Sequence, residues 1–285
     1  MKTISVDPSR NTPPNRDLPL LTTTPAELPS AKVTKLHPFN PGEENAALFF
    51  VGTATTIIEW SGPNFLHTGD PVHLGPGGPS ERLTDPAIDL HDLPRIDLVL
   101  LSHYHEDHFD DRVEASLRRD LPIITTPHAE KHLTSKQQDP FTSVSVLNPF
   151  EQINVSIQEK FNTVANVFPP TNGWMLELGH GSTNPADFSC GYRIYISGDT
   201  LMFDELRRIP ERYAGQPIDL MLVHLGGMTV PSTLVGRLME PLALTVTMDA
   251  EQSLSLIQLI QPNIIIPIHY DDYDGFIGRI SFAFM

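Results

Sequence analysis

The chain has 285 residues, 40% of them hydrophobic, which is enough to build a sizeable buried core as one α/β domain. Its formal charge of −16 and the lack of any run of Lys and Arg disfavour a polymeric nucleic-acid substrate, because such a surface repels phosphate backbones. No apolar stretch is long enough for a transmembrane segment, and the N-terminal residues lack the apolar core of a signal peptide. Cys190 is the single cysteine, which excludes an internal disulfide and predicts a reducing, cytoplasmic location.

The N-terminal region differs in composition from the rest of the chain. Residues 1–44 are rich in proline and poor in periodic apolar positions, which predicts a largely irregular tail. A folded domain is predicted over residues 45–285, and it opens with the strand-forming stretch "NAALFFVGTATTIIEW" (45–60). The stretch "NFLHTGDP" (64–71) is predicted to form a second strand that ends at its Gly-Asp-Pro turn.

Strand-like and helical segments alternate through the remainder of the chain. A buried strand is predicted at 96–102, further strands at 121–126, 192–200, 218–227 and 262–270, and helices at 111–120 and 250–260. This alternation predicts mixed sheets covered by helices, with functional residues at the strand ends.

The stretch "VLLSHYHEDHFDD" (99–111) places three histidines and four acidic residues at the end of a predicted strand. Alternate side chains of a strand face the same way, so His103 and His105 would project together, with Asp107 and His108 just beyond them. Imidazole and carboxylate ligands suit zinc or a similar divalent ion. The pattern therefore predicts a metal site, and the alternative is a solvated polar turn.

Two further strand ends carry residues that can bind a metal. Asp199 follows the strand predicted at 192–200, where it could instead cap a helix. His269 lies at the end of the last predicted strand, and a single histidine there could be structural. Taken together with the histidine-rich stretch, these two residues favour one shared metal site.

The H-x-H-x-D-H pattern at 103–108, the later Asp199 and the final His269 resemble the metallo-β-lactamase superfamily, over roughly residues 45–275. The stretches "PPTNGWMLELG", "GYRIYISGDTL", "TMDAEQ" and "PIHYDDY" are most similar to the branch that contains L-ascorbate-6-phosphate lactonase and N-acyl-phosphatidylethanolamine phospholipase D, and to its fungal relatives. The resemblance implies an α/β fold, a four-layer α-β-β-α sandwich of two mixed sheets. It also implies a metal centre in a cleft along one edge of that sandwich.

The resemblance further implies one or two bound divalent ions, with zinc expected and manganese or iron as alternatives. The implied metal ligands are His103, His105, Asp107, His108, Asp199 and His269. The two histidines of H-x-H would hold the first ion, Asp107, His108 and His269 the second, and Asp199 would bridge them. Asp107 and Asp199 are the implied catalytic residues, and Asp70 matches a family aspartate that acts behind the ligands.

The implied activity is hydrolysis of an ester, lactone or phosphodiester bond in a small-molecule or lipid-derived substrate. In such a site a metal-bound water becomes hydroxide near neutral pH and attacks the scissile group. Flavodiiron oxidoreductases of the superfamily carry Glu where this chain has His105, which favours hydrolysis. The alternatives are a metal-binding relative of weak or no activity and an oxidoreductase that uses one iron in the same cleft.

One ligand that the resemblance implies is missing. The family supplies a third histidine to the first ion from the region before Asp199, but residues 147–174 contain no histidine. His128 and His132 have a helical spacing that predicts a solvated helix face, and the alternative is that either of them is a metal ligand. His224 ends a predicted strand and is a candidate for a substrate contact or a substitute ligand, or else a hydrogen-bonded structural histidine.

Overall fold

The computed structural model describes residues 2–7, 12–16, 32–34, 46–60, 64–67, 81–82, 85–105, 108–109, 111–157, 161–168, 173–181, 187–227, 229–231, 243–245, 247–270 and 273–274. Its strands are β1 (Lys2–Val6), β2 (Ala46–Gly52), β3 (Thr55–Trp60), β4 (Asn64–His67), β5 (Glu81–Arg82), β6 (Leu98–Leu100), β7 (Ile123–Thr125), β8 (Val144–Val146), β9 (Gln152–Ile157), β10 (Phe161–Phe168), β11 (Gly173–His180), β12 (Ser189–Ile196), β13 (Leu220–His224), β14 (Thr229–Pro231), β15 (Ala243–Thr245), β16 (Ile264–Ile268) and β17 (Tyr273–Asp274). Its α-helices are α1 (Asp111–Ser116), α2 (Pro127–Thr134), α3 (Arg208–Arg212) and α4 (Ala250–Ile260), and short 3-10 helices cover Leu90–Asp92 and Asp204–Arg207.

Most of these strands form two mixed sheets. The six-stranded sheet has the order β2-β3-β4-β6-β7-β8, antiparallel from β2 to β4 and parallel from β4 to β8. The seven-stranded sheet has the order β1-β9-β10-β11-β12-β13-β16, antiparallel from β9 to β12 and parallel at both edges. Parallel neighbours end on the same edge of a sheet, so the loops after β12, β13 and β16 lie side by side.

The alternation of side chains along the strands builds three cores and four layers. Leu98 and Leu100 of β6 pack between the two sheets, while Val99 of the same strand packs on the other face with Val113 of α1 and Leu133 of α2. The seven-stranded sheet is packed in the same way. Leu222 of β13 faces the inner core, and the residues before and after it in the strand face α3 and α4. The residues on that outer side include Met175, Tyr195, Met221, Val223, Ile209, Leu256 and Ile260. The expected α-β-β-α sandwich of two mixed sheets is therefore confirmed.

The N-terminal region contains a strand that its composition did not predict. Lys2–Val6 pairs in parallel with β9 at the edge of the seven-stranded sheet, and Val6 is buried in the inner core. The tail that the sequence predicts as largely irregular over 1–44 therefore contains a regular strand at Lys2–Val6. Proline content reports local preferences only, whereas this strand depends on backbone pairing with a segment about 150 residues further along the chain.

Five strands after β5 and the last helix lie where the sequence predicts them. The five strands predicted between 96 and 270 contain β6, β7, β12, β13 and β16, and α4 spans Ala250–Ile260 as predicted. Helix α1 is shorter than the predicted 111–120, because the chain after Ser116 leaves the helix to pair with residues 14–16. Within the described ranges, no helix is long and apolar enough to cross a membrane.

Candidate metal centre

Four histidines and one aspartate meet where strands of both sheets end. This set, called the Asp199 group below, comprises His103, His108, Asp199, His224 and His269. The first two histidines lie in the loop after β6 of the six-stranded sheet. The other three residues follow or end β12, β13 and β16 of the seven-stranded sheet. The group is thus assembled across the two sheets.

The carboxylate of Asp199 is the centre of this group. Its Oδ2 lies 2.8 Å from Nε2 of His108 and 3.8 Å from Nε2 of His103. Its Oδ1 lies 2.5 Å from Nδ1 of His224 and 3.8 Å from Nε2 of His269. Each carboxylate oxygen therefore faces two imidazole nitrogens, so that the residues form two adjacent half-sites that share Asp199.

Ser102 holds two of the imidazoles from behind. Its buried hydroxyl lies 3.0 Å from Nδ1 of His103 and 3.4 Å from Nδ1 of His108. Because Nδ1 of each ring is engaged there, the Nε2 atoms of both rings are turned towards Asp199. Outer partners of this kind fix the orientation of metal-binding imidazoles. Sequence reasoning missed Ser102, although its place directly before the histidine pattern was visible.

His224 is held on both its backbone and its side chain. Its backbone N–H donates to Ser197 Oγ at 3.1 Å, and its carbonyl oxygen accepts from Ser253 Oγ at 2.7 Å. Its side chain is fully buried and stacks on His269, with ring centroids 4.8 Å apart and 3° between the planes. Nε2 of His224 has no hydrogen-bond partner in the part of the chain that the structure describes. A buried imidazole nitrogen of this kind costs free energy unless a donor or a cation meets it.

His269 adopts a backbone conformation that is uncommon for a residue with a side chain. Its φ is 58°, in the left-handed region, and its N–H donates to the carbonyl oxygen of Thr53 at 2.6 Å. Gly226 packs against it so closely that a Cβ there would lie 2.6 Å from the His269 carbonyl oxygen and 3.0 Å from its Nδ1. Such strain is typical of residues that the surrounding structure holds for a function. Gly226 is therefore required for the placement of His269.

Burial and charge set the protonation of the group. Burial, followed by the neighbouring His108, holds the pKa of His103 well below its usual value. Burial also lowers the pKa of His224 to about 4, against the opposing effect of its hydrogen bond to Asp199. Burial alone would raise the pKa of Asp199, but His108 and His269 more than offset it, so that this pKa lies well below its usual value. His103 and His224 are accordingly neutral near pH 7 beside an ionised carboxylate.

This donor set fits a divalent transition-metal ion. The group contains two triads that share Asp199. The first also contains His103 and His108, and the second also contains His224 and His269. In each triad the three ligand atoms lie within 4.8 Å of one another. Neutral imidazoles with a carboxylate suit zinc, manganese or iron, whereas calcium and magnesium prefer oxygen ligands alone. The buried Nε2 of His224, which has no hydrogen-bond partner among the described residues, is further evidence that the group fits a cation.

The predicted site residues have different outcomes. His103, His108, Asp199 and His269 lie together, and His224 joins them beside His269. His105 is exposed and packs edge-on against His103, with ring centroids 4.5 Å apart, but it belongs to neither triad. Asp70 and Asp107 lie outside the described residues. His103 and His108 both face Oδ2 of Asp199, whereas the resemblance implies that His103 binds the first ion and His108 the second. The assignment of ligands to each ion stays a prediction.

Comparisons with known proteins bear on the same region. A family profile described as a beta-lactamase superfamily domain matches residues 70–270. The chain is 30% identical over 196 residues to a UPF0173 metal-dependent hydrolase of Nanoarchaeum equitans, covering 67% of this chain and 76% of that protein. An isothiocyanate hydrolase from Delia radicum gut bacteria has a similar structure, with a TM-score of 0.56, 16% identity and coverage of 80% and 85% of the two chains. Igni18, a metallo hydrolase of Ignicoccus hospitalis, gives a TM-score of 0.51, 21% identity and coverage of 80% and 84%. The two structural similarities support the fold.

Proposed function

Because this chain belongs to the metallo-β-lactamase superfamily and is related to metal-dependent hydrolases, we propose that its Asp199 group binds one or two divalent metal ions and hydrolyses an ester, lactone or phosphodiester bond. The observation that carries the proposal is the convergence of four imidazoles on both oxygens of one carboxylate. Zinc is the proposed ion, and manganese or iron would be compatible with the same donors. The proposed substrate is a small molecule or lipid-derived compound, as the similarity to the lactonase and phospholipase branch implies.

The side chains of the group have distinct proposed tasks. A bound divalent ion would supply a Lewis acid and a water of lowered pKa. Asp199 would bridge the two half-sites, since each of its oxygens faces two imidazoles. His105 and Asp107 are proposed to complete the ligand set, and Asp70 to act behind it. The exposed position of His105 beside His103 supports access of substrate from that side.

His224 is proposed as a positioning residue for Asp199 rather than as a substrate contact. Its imidazole is fully buried, which leaves no surface for a substrate to touch. Its Nδ1 lies 2.5 Å from Oδ1 of Asp199, close enough to fix the orientation of that carboxylate by donating a hydrogen bond. In this arrangement Oδ2 is directed at His103 and His108.

Cys190 is unsuited to act as a nucleophile in an alternative mechanism. Burial raises the pKa of its thiol to about 11, so that very little thiolate is present near neutral pH. The residue lies near the start of β12, while Asp199 follows the end of the same strand. Cys190 is therefore not proposed as the nucleophile, and water activated by an ion held in the Asp199 group would take that role.

The proposal is tested with purified full-length protein and a substrate screen. The protein is stripped with a chelator, reloaded with zinc or manganese, and assayed against lactones, aryl esters and phosphodiesters. We expect hydrolysis that requires the metal and that is lost in Asp199→Asn, with Asp204→Asn as control because Asp204 is 96% exposed. The proposal is wrong if the protein binds no transition metal and a chelator changes neither its stability nor its activity. Iron in natively expressed protein together with oxygen uptake would instead indicate an oxidoreductase.

A further inference from the structure

Two histidines outside the Asp199 group lie on the outer side of α2. His128 and His132 are one helical turn apart, and both side chains are exposed. Residues four apart on a helix share a face, so both imidazoles reach the same point above it. Their Nε2 atoms are 3.3 Å apart, with ring centroids at 4.6 Å and 55° between the planes. These two residues are called the outer pair below.

We propose that the outer pair is a second transition-metal site, separate from the Asp199 group. Two zinc–nitrogen bonds of about 2.0–2.1 Å at a tetrahedral angle place the nitrogens about 3.3–3.4 Å apart. The Nε2 atoms of His128 and His132 already have this separation. A hydrogen bond between the two rings fits the same separation and is the competing explanation, and the zinc titration below separates it from metal binding.

The ring of His132 is positioned before any ion arrives. It stacks on Tyr104, with centroids 4.8 Å apart and 7° between the planes. The hydroxyl of Tyr104 donates to Glu114 at 2.5 Å, and Lys136 forms an ion pair with the same carboxylate. A ligand ring that is already ordered loses less side-chain entropy on binding, which favours affinity.

The start of the helix is fixed as well. The hydroxyl of Thr126 accepts a hydrogen bond from the backbone N–H of Ala129 at 3.3 Å, which caps the first turn where His128 lies. Ala129 and Leu133 anchor the opposite face of α2 in the core against the six-stranded sheet. The outer pair is therefore carried on a helix that is held at its start and along its inner side.

The chemistry of the pair selects the ion. Two imidazoles suit Zn²⁺, Ni²⁺ or Cu²⁺ and not Mg²⁺ or Ca²⁺. Among the described residues, no third histidine, cysteine or acidic side chain joins the pair, so water would complete the coordination. The site should consequently bind more weakly than the Asp199 group and exchange its ion with solvent.

Calorimetric titration of Zn²⁺ into the chelator-stripped full-length protein tests the proposal. We expect a weaker binding step in addition to that of the Asp199 group. In the double variant His128→Ala/His132→Ala this step should vanish while the stronger step is retained. The single variant His128→Gln, which keeps the helix and removes one ligand, should weaken the step by at least about tenfold.

Lys131→Ala is the matched control, because Lys131 is an exposed residue on the same helix that offers no imidazole. It should bind zinc as the unaltered protein does. The same number and affinity of binding steps in the double variant and in the unaltered protein would overturn the proposal, and circular dichroism establishes that both are folded. Loss of the stronger step in Asp199→Asn with the weaker step intact would show that the two sites are independent.

Discussion

The Asp199 group and the outer pair are two histidine clusters of the same chain that differ in their surroundings. In the Asp199 group a carboxylate with 13% of its side chain exposed faces four imidazoles. In the outer pair two exposed imidazoles lie together, and no acidic side chain of the described ranges joins them. A charge attracts a cation more strongly where water is excluded, because the local dielectric constant is lower. The Asp199 group should keep its metal during dialysis, and the outer pair should release it.

The comparison shows that the spacing of histidines in the sequence does not rank metal sites by strength. The outer pair is visible as an i, i+4 spacing, yet it offers only two ligands. The Asp199 group includes contacts between residues 91 apart, and its strength depends on a carboxylate that only the fold brings there. The following variants test this difference in order of expected effect.

Asp199→Asn should have the largest effect. The substitution keeps the size of the side chain but removes the negative charge and one oxygen that faces His224 or His108. Loss of residues that only support metal ligands already costs about 10–100-fold in affinity, so loss of the central carboxylate should exceed about 100-fold. Metal content after dialysis checks this, with Asp204→Asn as control. Retention of the metal by Asp199→Asn would mean that imidazoles alone hold it. The carboxylate would then not explain the expected difference in affinity between the Asp199 group and the outer pair.

Acidification should destabilise the metal-free protein through the buried imidazoles. The pKa of His224 is lowered by burial from 6.5 to about 4, so the unfolded chain binds a proton there that the folded chain does not. The contribution of His224 to stability is complete above about pH 6.5 and is lost as the pH falls towards 4, by about 3 kcal/mol.

Urea denaturation in the presence of a chelator, at about pH 7, 5.5 and 4.5, measures this effect. His224→Asn removes the titrating group and should flatten the profile, although the lowered pKa of His103 acts in the same direction. An equal fall in stability for His224→Asn and the unaltered protein would contradict the role assigned to burial of His224.

Gly226→Ala should displace His269. The added Cβ would lie 2.6 Å from the His269 carbonyl oxygen, and the backbone must shift to relieve this contact. We expect a loss of about 2 kcal/mol in the free energy of unfolding. Metal binding by the Asp199 group should weaken, and metal binding by the outer pair should not change. Gly191→Ala is the control, because its Cβ would lie 3.7 Å from the nearest atom. Unchanged stability and metal binding in Gly226→Ala would show that the site is more pliable than its geometry indicates.

His224→Ala should weaken metal binding by about tenfold, since it releases Asp199 from one of its hydrogen bonds but leaves three other imidazoles in place. His224→Asn retains an N–H donor near the position of Nδ1 and should restore most of the affinity. This rescue separates positioning from ligation. If Asn is as damaging as Ala, His224 binds the ion directly through Nε2, for which the described ranges offer no hydrogen-bond partner.

The sequence predicted the parts of the fold and site that depend on local pattern. Strand ends were recognisable from apolar runs, and these runs located His108, Asp199 and His269 at one edge. Helix α4 matched because its apolar residues recur at helical spacing and Asp249 caps its start. The two mixed sheets followed from the family resemblance and from the alternation of strands and helices.

Other features depend on contacts between distant segments and could not be predicted. Strand β1 forms because residues 2–6 meet β9, in a region whose composition indicates irregular structure. The alternatives left open for His224 depend on Asp199 and Ser253 being beside it, which no spacing reveals. Gly226 is part of a Gly-Gly pair in the sequence. A side chain at this position would collide with His269, and only the fold shows that His269 lies there.

The assembly of the Asp199 group from both sheets has a consequence for folding kinetics. His108 and Asp199 are separated by 91 residues, and the N–H of His269 is bonded to Thr53 in the turn between β2 and β3. Contacts of such long sequence separation require large loops to close and form slowly. The ion-binding geometry should therefore appear only after the two sheets have docked. A metal-sensitive spectroscopic signal would then rise in the final phase of refolding, and added metal would slow unfolding while leaving the early phases of folding unchanged.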